Sequence, residues 1–441
     1  MSKPPFSDLM QLEQASPDVG RMSNGPAKSS GSDRATGMCV ALLTGGDDRP
    51  YALGMISALA GEEVYVDFIG SDKLDAPELH NSPQINFLNL RGDQNEDAPL
   101  LRKVVRILTY YARLASYVPR SQAQIFHLLW NNKFEHFDRV ALMLYYRLFR
   151  KRVVLTAHNV NARKRDGHDS WFNRFTLRIQ YRLCSHILVH TAAMKRELVT
   201  DFGIAPERVS VIPFGINDTN RKTSLDRVGA RTKLGLAPTE KTVLFFGQIA
   251  PYKGLEFLIA ALARLIPSLP EVKLVIAGKV KNGFEGYWKS IQTEISRPKL
   301  QDRVIARIQH IPDEDVETYF KAADVLALPY VEIFQSGVPF LAYSFGLPVI
   351  ATDVGSLRED VIEGATGMIC RPRSAADLAE AVMAYFRSEL FRDLERRRAM
   401  IREFAMQRYY WAKVAATTVA AYSQLLDEKT TMHSPVQRIV D

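Results

Sequence analysis

A lysine stands at the junction between an apolar segment and a helical pattern in the stretch FFGQIAPYKGLEFL, residues 245–258. Gly247 ends the apolar run, and Lys253 and Gly254 open the helical pattern. The free amides and positive dipole end of a helix start favour an anion, and an ammonium adds a full charge. The spacing matches neither G-x-x-x-x-G-K-[ST] nor G-x-G-x-x-G. A lysine at a helix start is more often solvated than functional, so this loop alone is a weak indication of a phosphate site.

A second group of polar residues lies in ALPYVEIFQSGVPFLAYSFGLPVIATDVGSLRE, residues 327–359. Glu332 follows an apolar run, and Gln335, Ser336 and Gly337 precede a helical pattern. Ser and Gly let backbone amides approach a phosphate closely, whereas a carboxylate accepts hydrogen bonds from hydroxyl groups. An ordinary helix cap is the alternative interpretation. A phosphate cradle beside a carboxylate that binds hydroxyls predicts a sugar-nucleotide site.

Two series of short apolar runs, separated by segments with helical spacing, must position these residues. Runs of this kind predict parallel sheets with crossover helices. At 441 residues the chain is also too long for one ordinary core. We therefore predict an α/β fold of two Rossmann-like doubly wound domains, with the site in the central cleft that the carboxyl ends of their strands face. The runs are MCVALLTGG, EVYVDFIG, QIFHLLW, RVVLTAHN, HILVHT and RVSVIPFGIND in the first series, and TVLFFG, KLVIAG, VIARIQ, DVLALPY and PVIATD in the second.

The same patterns set the predicted domain boundaries. The first residues are rich in Ser, Gly and Pro, which predicts disorder. The last strong helical segment comes after the second sheet is complete, so it is expected to pack back on the N-terminal domain. The predicted segments are a disordered leader over 1–37, an N-terminal Rossmann-like domain over 38–218, a linker over 219–240, a C-terminal Rossmann-like domain with the sugar-nucleotide site over 241–405, a helix over 406–427 and a tail over 428–441.

The formal net charge of +8 and the pI near 9.2 predict an anionic partner, such as an acidic membrane surface or a phosphorylated substrate. Residues 100–120, LLRKVVRILTYYARLASYVPR, interleave basic side chains with apolar ones. This pattern is typical both of a helix at a membrane interface and of a core helix with a solvated face. No nucleic-acid partner is expected, because no recognised binding motif accompanies the charge.

Targeting and metal signals are weak. No apolar run is long enough to span a membrane, and the polar N-terminus lacks the apolar core of a signal peptide. Cys39, Cys184 and Cys370 are far apart and odd in number, which predicts reduced packing residues. The acids of PDEDVE, residues 312–317, are more typical of a helix start than of a metal site. We expect a cytoplasmic protein, with peripheral contact at the inner face of the membrane as a further possibility.

Five segments carry a family resemblance: FGQIAPYKG, KAADVLALPY, EIFQSGVPFLAYSFGLPVIATDVGSLRE, VIPFGIN and LTAHNV. Together they resemble the group 1 (family 4) glycosyltransferases of the GT-B fold, over almost the whole chain from Met38 to about Leu426. The resemblance implies a retaining, metal-independent transfer of a sugar from a nucleoside-diphosphate sugar to an acceptor hydroxyl. It requires no cofactor beyond that co-substrate. The implied setting is polysaccharide or glycolipid synthesis, with a saccharide or lipid-linked acceptor.

The resemblance also assigns roles to residues of this sequence. Lys253 matches the family's diphosphate-binding lysine, Glu332 lies close to the acidic residue that binds donor-sugar hydroxyls, and His158 matches a histidine that faces the reacting sugar. These three are the implied catalytic residues. The implied donor-site set is Gly247, Gln248, Lys253, His310 and Ile311 (at the base), Glu332, Gln335, Ser336, Gly337 and Val338. On the acceptor side Gly45 and Gly46 match the family's first glycine-rich loop, and Arg163 and Lys164, near His158, would meet an anionic acceptor.

The chain departs from the family pattern at the donor site. Gln248 stands where the family usually has Arg, which removes one positive charge. The usual pair of glutamates, E-x7-E, falls on Ile333 and Leu341, one residue after Glu332. A branch of the family with a QSGV-type donor-site entrance shares this shift.

Two other functions compete with transfer. A non-catalytic GT-B scaffold subunit of a polysaccharide assembly system would explain the missing Arg and Glu. A GT-B sugar-nucleotide epimerase would use the donor without an acceptor. Retention of Lys253, His158 and the Gln-Ser-Gly entrance favours the transferase.

Overall fold

The computed structural model describes residues 37–45, 48–95, 97–216 and 223–431. These residues divide into two compact units. The N-terminal unit comprises the described parts of Gly31–Asn217 and Tyr409–Asp441, and the C-terminal unit those of Asp218–Arg408. The predicted leader up to residue 36, and the predicted tail from residue 432, lie outside the described residues.

The N-terminal unit is built on a parallel sheet in the order β3-β2-β1-β4-β5-β6-β7. Its central strands are short runs of buried apolar residues, as parallel strands covered on both faces must be. The strands are β1 Cys39–Leu43, β2 Tyr65–Gly70, β3 Ile85–Asn89, β4 Ile125–Leu128, β5 Arg152–Ala157, β6 His186–Val189 and β7 Val209–Val211. The helices are α1 Arg49–Gly61, α2 Pro77–His80, α3 Leu100–Arg120, α4 Glu135–Phe137, α5 Met143–Leu148, α6 Ala162–Arg165, α7 Trp171–Leu183 and α8 Ala192–Phe202, with a π-helical turn at Asp138–Leu142.

The C-terminal unit repeats the architecture with the parallel order β10-β9-β8-β11-β12-β13. Its strands are β8 Lys241–Phe246, β9 Val272–Ala277, β10 Val304–Arg307, β11 Val325–Leu328, β12 Val349–Thr352 and β13 Gly367–Cys370. Its helices are α9 Arg227–Leu234, α10 Leu255–Leu265, α11 Glu285–Ile295, α12 Asp313–Ala322, α13 Val338–Ser344, α14 Leu357–Asp360, α15 Ala375–Arg387, α16 Glu389–Arg392 and α17 Leu394–Arg408. The predicted α/β class with two doubly wound parallel sheets is confirmed.

Each sheet has a point where the strand order reverses. In the first sheet it lies between β1 and β4, and in the second between β8 and β11. Connections leave the two strands at such a point in opposite directions, which opens a crevice outside their carboxyl ends. The residues that follow these strands are therefore the first place to look for a site.

The C-terminal helix returns the chain to the N-terminal unit. The helix α17 ends at Arg408, the amide of Ile216 donates to the carbonyl of Tyr409 over 3.0 Å, and α18 then spans Trp411–Thr431 and packs on α1. The indole of Trp411 lies against Gly54 and Gly215, where a Cβ would overlap the ring. Residues 406–427 are thus not one continuous helix, because the chain changes direction at Tyr409.

The range 219–240, predicted as a linker, contains α9. Residues 219–222 lie outside the described residues, but α9 packs on α12 within the C-terminal unit. The buried carboxylate of Asp324 binds Arg227, lies 3.6 Å from Arg231 and accepts the amide of Thr242 over 2.8 Å. A buried carboxylate needs this degree of compensation, so α9 is tied to the sheet by charge as well as by packing.

A buried histidine connects α18 to the first sheet. His127 on β4 is fully buried, and its two ring nitrogens lie 2.5 Å from the hydroxyl of Tyr422 and 2.7 Å from that of Thr156. All three side chains sit in an otherwise apolar core. Because a buried imidazole needs a partner at each nitrogen, Tyr422 fixes the position of α18 over β4.

No disulfide joins Cys39, Cys184 and Cys370, all of which lie in the described ranges, and no helix of those ranges is both long and apolar enough to cross a bilayer.

Tyr422→Phe should destabilise the N-terminal unit by about 1–3 kcal/mol, because it leaves one nitrogen of His127 buried without a partner. Thermal unfolding of the wild type, Tyr422→Phe and the control Tyr410→Phe, whose side chain is 53% exposed, measures this. An equal loss of stability in the two variants would contradict the proposed role of the hydrogen bond between His127 and Tyr422.

The burial of His127 should also make the folded state less stable as the pH decreases. Burial lowers the pKa of His127 to about 3, whereas an unfolded histidine has a pKa of about 6.5. As the pH falls below about 6.5, the unfolded chain binds a proton that the folded chain excludes. Stability from this group is therefore complete above that pH and decreases by up to about 1.4 kcal/mol per pH unit below it.

Denaturation at pH 7, 6 and 5 should accordingly show a shallower pH dependence for His127→Gln than for the wild type. His80→Asn is the control, since His80 is an exposed residue that pairs with Asp75. Parallel slopes for His127→Gln and the wild type would refute this prediction.

Candidate functional site

The loop after β8 begins with a glycine in a conformation that favours glycine. Gly247 has φ +109°, and its amide donates to Ala277 over 2.9 Å. Gly278, with φ +145°, lies so close that a Cβ there would overlap the Gly247 carbonyl. A Cβ on Gly247 would lie 3.0 Å from the Nζ of Lys253. The absence of side chains here keeps space open beside that ammonium.

Lys253 is a buried cation. It ends the 3-10 turn Pro251–Lys253, and Gly254 follows with φ +65° against the carbonyl of Pro329, where no Cβ would fit. The side chain of Lys253 is 7% exposed, and its Nζ donates to the hydroxyl of Tyr330 over 3.1 Å. Among the described residues no carboxylate oxygen lies within 4.0 Å of Nζ. An ammonium buried without a counter-ion is costly unless an anion joins it, so this arrangement favours an anionic ligand.

The segment before α13 meets the lysine through Tyr330. The hydroxyl of Ser336 lies 3.5 Å from that of Tyr330 and accepts the amide of Val338 over 3.3 Å. Ser336 is 8% exposed, and the Oε1 of the neighbouring Gln335 is buried without a partner in the described part of the chain. The structure therefore brings Gly247, Lys253 and the residues 335–338 together at the reversal point between β8 and β11, as the sequence predicted for one site.

Glu332 lies beside this group with its side chain exposed. The amides of Val331 and Glu332 donate to the carbonyl of Tyr252 over 2.8 and 3.4 Å, which holds Glu332 next to the lysine turn. Ile333 is 8% exposed, and Leu341 on α13 is partly buried. The two family glutamate positions thus carry apolar side chains that pack in the fold.

The remaining donor-side residues are less closely connected. Gln248 is exposed directly after Gly247. His310 is exposed and Ile311 is buried in the loop between β10 and α12. Among the described residues, no hydrogen bond joins His310 or Ile311 to Lys253 or Ser336.

In the N-terminal unit, His158 follows β5 within an aromatic cluster. Its ring stacks on Trp130, with centroids 4.6 Å apart and planes at 5°, and meets the edge of Tyr51 at 4.7 Å. Its Nδ1 lies 3.1 Å from the Nε2 of His190, which follows β6. Three consecutive strands of the sheet order, β4, β5 and β6, thus end in one cluster.

Burial determines the charge of the two histidines. It lowers the pKa of His158 well below its ordinary range, and the neighbouring His190 lowers this pKa further. Burial also lowers the pKa of His190 to about 4, against smaller opposing effects of the Ile212 and Pro213 carbonyls. Both rings are therefore neutral at pH 7, and one of the two donates the hydrogen bond between them. The Nε2 of His158 has no hydrogen-bond partner among the described residues.

The predicted acceptor-side residues lie in two different environments: Gly45 is packed against backbone, and Arg163 and Lys164 are at the surface. Gly45 follows β1 against the carbonyls of Trp130 and Asn131, where a Cβ would overlap both, and Gly46 lies outside the described residues. Arg163 and Lys164 lie on α6 in surface ion pairs: Arg163 is 3.8 Å from Glu135, and Lys164 is 3.8 Å from Glu197. No described hydrogen bond or ion pair connects Arg163 or Lys164 with His158.

Sequence reasoning missed Tyr330 and His190. Tyr330 is the second residue after β11, and His190 is the first residue after β6. Each lies at the same sheet edge as a predicted site residue. The sequence could have indicated both residues, because each directly follows an apolar run, in ALPY and in HILVHT. Within the described ranges, no cluster of three or more His, Cys, Asp or Glu side chains is arranged to hold a metal ion.

Comparison with known proteins gives two family matches and related structures. The model for Glycosyltransferase Family 4 matches residues 50–220, and that for Glycosyl transferases group 1 matches residues 227–406. The D-inositol 3-phosphate glycosyltransferase of Nocardia farcinica is 34% identical over 248 residues, which cover 55% of this chain and 53% of that protein. The chain thus spans about half the length of the curated relatives it matches.

Two solved structures share the fold over nearly the whole chain. Sucrose-phosphate synthase from Thermosynechococcus elongatus has a TM-score of 0.69 at 20% identity, covering 89% of this chain and 100% of that one. Anabaena HepE in complex with UDP-glucose has a TM-score of 0.66 at 19% identity, covering 88% and 99%. One family model matches most of the N-terminal sheet, and the other spans the C-terminal one. The chain therefore belongs to the group 1, or family 4, glycosyltransferases and has their GT-B fold.

Proposed function

We propose that this chain transfers a sugar from a nucleoside-diphosphate sugar to an acceptor hydroxyl. The observation that carries the proposal is the Lys253 ammonium, buried beside Gly247 and Tyr330 with no carboxylate partner in the described part of the chain. A diphosphate would supply the missing negative charge. The Anabaena HepE structure holds a donor of this class, UDP-glucose.

Residues around the lysine would bind the rest of the donor. The start of α10 adds its positive dipole end beside the diphosphate. Ser336, Gly337 and Val338 offer a hydroxyl and amides for the distal phosphate. Glu332 and the unpartnered Oε1 of Gln335 would accept hydrogen bonds from sugar hydroxyls. Gln248 would contribute a neutral amide where the family has a cation, in keeping with a QSGV-type branch, while the backbone at His310 and Ile311 would bind the base.

Transfer would occur with retention and without a metal or another cofactor. The departing diphosphate would accept the proton of the acceptor hydroxyl on the same face of the sugar. The protein's part is to position the reactants and to stabilise the charge that develops on the departing phosphate. Lys253 and the amides near Ser336 would perform the second task.

His158 would act as a neutral hydrogen-bonding group toward the donor sugar. Its Nδ1 is engaged by His190, and its Nε2 is buried without a hydrogen-bond partner among the described residues, so a sugar hydroxyl that displaced the surrounding side chains would bond to Nε2. Since both rings are neutral at pH 7, His158 would not act as a cation. His190 would hold the tautomer and orientation of the His158 ring.

The acceptor is proposed to be a saccharide or a lipid-linked sugar in polysaccharide or glycolipid synthesis, with peripheral contact at the inner face of the membrane. Gly45 would line the acceptor side of the N-terminal unit, and Arg163 and Lys164 would exchange their ion pairs with Glu135 and Glu197 for an anionic acceptor.

Lys253→Ala should lower kcat by about 10²–10³, because losing one electrostatic donor to a departing anion has an effect of this size. It should also abolish the thermal shift caused by the matching nucleotide. A panel of UDP, GDP, ADP, TDP and their common sugar conjugates identifies that nucleotide, since a ligand at 100 times its Kd adds about 2.7 kcal/mol to the folded state. Lys289→Ala, which changes an exposed lysine of α11, is the control.

Near-normal turnover of Lys253→Ala would refute the proposed donor site. A folded wild type that no nucleotide stabilises would favour a non-catalytic scaffold. Consumption of the donor alone, analysed by product chromatography, would favour an epimerase.

The pH profile of kcat should show no inflection from His158 or His190 between pH 6 and 8, because burial lowers both pKa values. His190→Ala should lower kcat by about fivefold, since it removes a hydrogen bond worth about 1 kcal/mol, whereas His190→Asn retains a polar partner and should lose less. An inflection near pH 6.5 that disappears in His158→Asn would contradict the neutral pair.

A further inference from the structure

Large exposed apolar side chains are concentrated on one part of the N-terminal unit. Of the sixteen that are exposed among the described residues, thirteen lie in the first half of α3, in residues 133–150 or in the first half of α7. Soluble proteins scatter such residues singly, whereas a contiguous group indicates a binding surface. We call the three segments that carry these side chains, residues 100–120, 133–150 and 171–183, the apolar-basic surface.

The first half of α3 contributes an unburied aliphatic stripe. Leu100, Leu101, Val105 and Leu108 are 54–78% exposed, with the spacing of one helix face. Burial of α3 against the unit begins only at Tyr110 and continues through the second half of the helix. The core-helix interpretation therefore applies from Tyr110 onward, where three side chains are buried. No side chain of residues 100–109 is fully buried, and for this part we develop the interfacial interpretation.

The other two segments contribute aromatic rings and are joined to α3. Tyr111 lies 5.2 Å from Phe137, and His136 lies 4.7 Å from Phe172, between ring centroids. At the start of α7, Trp171 is 77% exposed and stacks on Phe175 at 5.4 Å. These ring contacts connect the three segments into one surface.

The charge of this surface is almost entirely positive. Its segments, residues 100–120, 133–150 and 171–183, contain twelve Arg and Lys residues and two carboxylates. Of these two, Asp138 is buried and Glu135 lies 2.7 Å from Arg139. Exposed carboxylates that would repel an anionic partner are therefore nearly absent.

We infer that the apolar-basic surface docks on an anionic lipid bilayer, with the leucines of α3 and the rings of α7 entering the headgroup region. Lipid matches both properties at once: acyl chains accept the apolar side chains, and anionic headgroups attract the cations. Trp is also enriched at this depth of a bilayer.

Other occupants fit less well. A symmetric contact with a second copy would oppose the same cations to each other. A nucleic acid would satisfy the cations but would leave the aliphatic stripe of α3 exposed.

Flotation of the full chain with vesicles of phosphatidylcholine alone, or with about one third phosphatidylglycerol, tests the inference. We expect at least tenfold stronger partition to the anionic vesicles. Leu101→Ala/Leu108→Ala/Trp171→Ala and Arg102→Gln/Lys103→Gln/Arg113→Gln should each weaken that partition by about tenfold or more, since insertion and charge contribute separately. The matched controls are Val228→Ala/Tyr410→Ala and Arg264→Gln/Lys289→Gln/Lys299→Gln, which change exposed residues elsewhere.

Tryptophan fluorescence reports insertion directly. Brominated lipid should quench the emission of the wild type, and Trp171→Phe should lose most of that quenching. Absence of binding to anionic vesicles would overturn the inference. So would vesicle binding that the apolar triple variant leaves unchanged, or a dimer, detected by sedimentation, that the same variant dissociates.

The inference names the surface for the peripheral contact proposed above, but it does not require sugar transfer. The nucleotide-dependent thermal shift tests transfer separately, so either proposal can fail while the other stands. Equal unfolding temperatures of all variants, expected because none of the changed side chains is fully buried, confirm that a loss of binding is not a loss of folding.

Discussion

The C-terminal unit depends on one constraint: it buries the ammonium of Lys253, and no carboxylate of the described residues lies within 4.0 Å of it. Lys253 lies between Gly247 and Tyr330, and glycines around it let backbone segments come into contact with one another. Gly247, Gly254 and Gly278 all have positive φ, and two of them contact a carbonyl where no side chain would fit. The fold thus supports a cation that it does not neutralise, which is what a site for an anionic ligand requires.

In the N-terminal unit, the candidate site residues at the carboxyl edge of the sheet are neutral and not charged. Its strands β5 and β6 end in two histidines that burial keeps neutral, packed among the rings of Trp130 and Tyr51. A neutral imidazole pair can orient a hydroxyl without adding charge. One parallel sheet therefore presents a cation at its reversal point, and the other presents an uncharged hydrogen-bonding pair beside aromatic surface.

The outer surface of the N-terminal unit reflects a third requirement. A helix that packs along its whole length would bury its apolar face, but α3 does so only from Tyr110 onward. The exposed leucines and the rings of α7 reduce solubility unless something covers them. The many cations around them restrict what that partner is, and an anionic lipid surface meets both conditions.

The sequence by itself determined the α/β class, the two sheets, most strands and the lysine loop, because buried parallel strands are continuous apolar runs and glycine marks backbone that needs freedom. It did not reveal the edge strands β3 and β13, which are short and incompletely buried. Only the tertiary structure showed that Lys253 has no carboxylate partner among the described residues, that His190 bonds His158 and that the stripe of α3 stays exposed. Each of these depends on which residues distant in sequence become neighbours, and a periodic pattern carries no information about that.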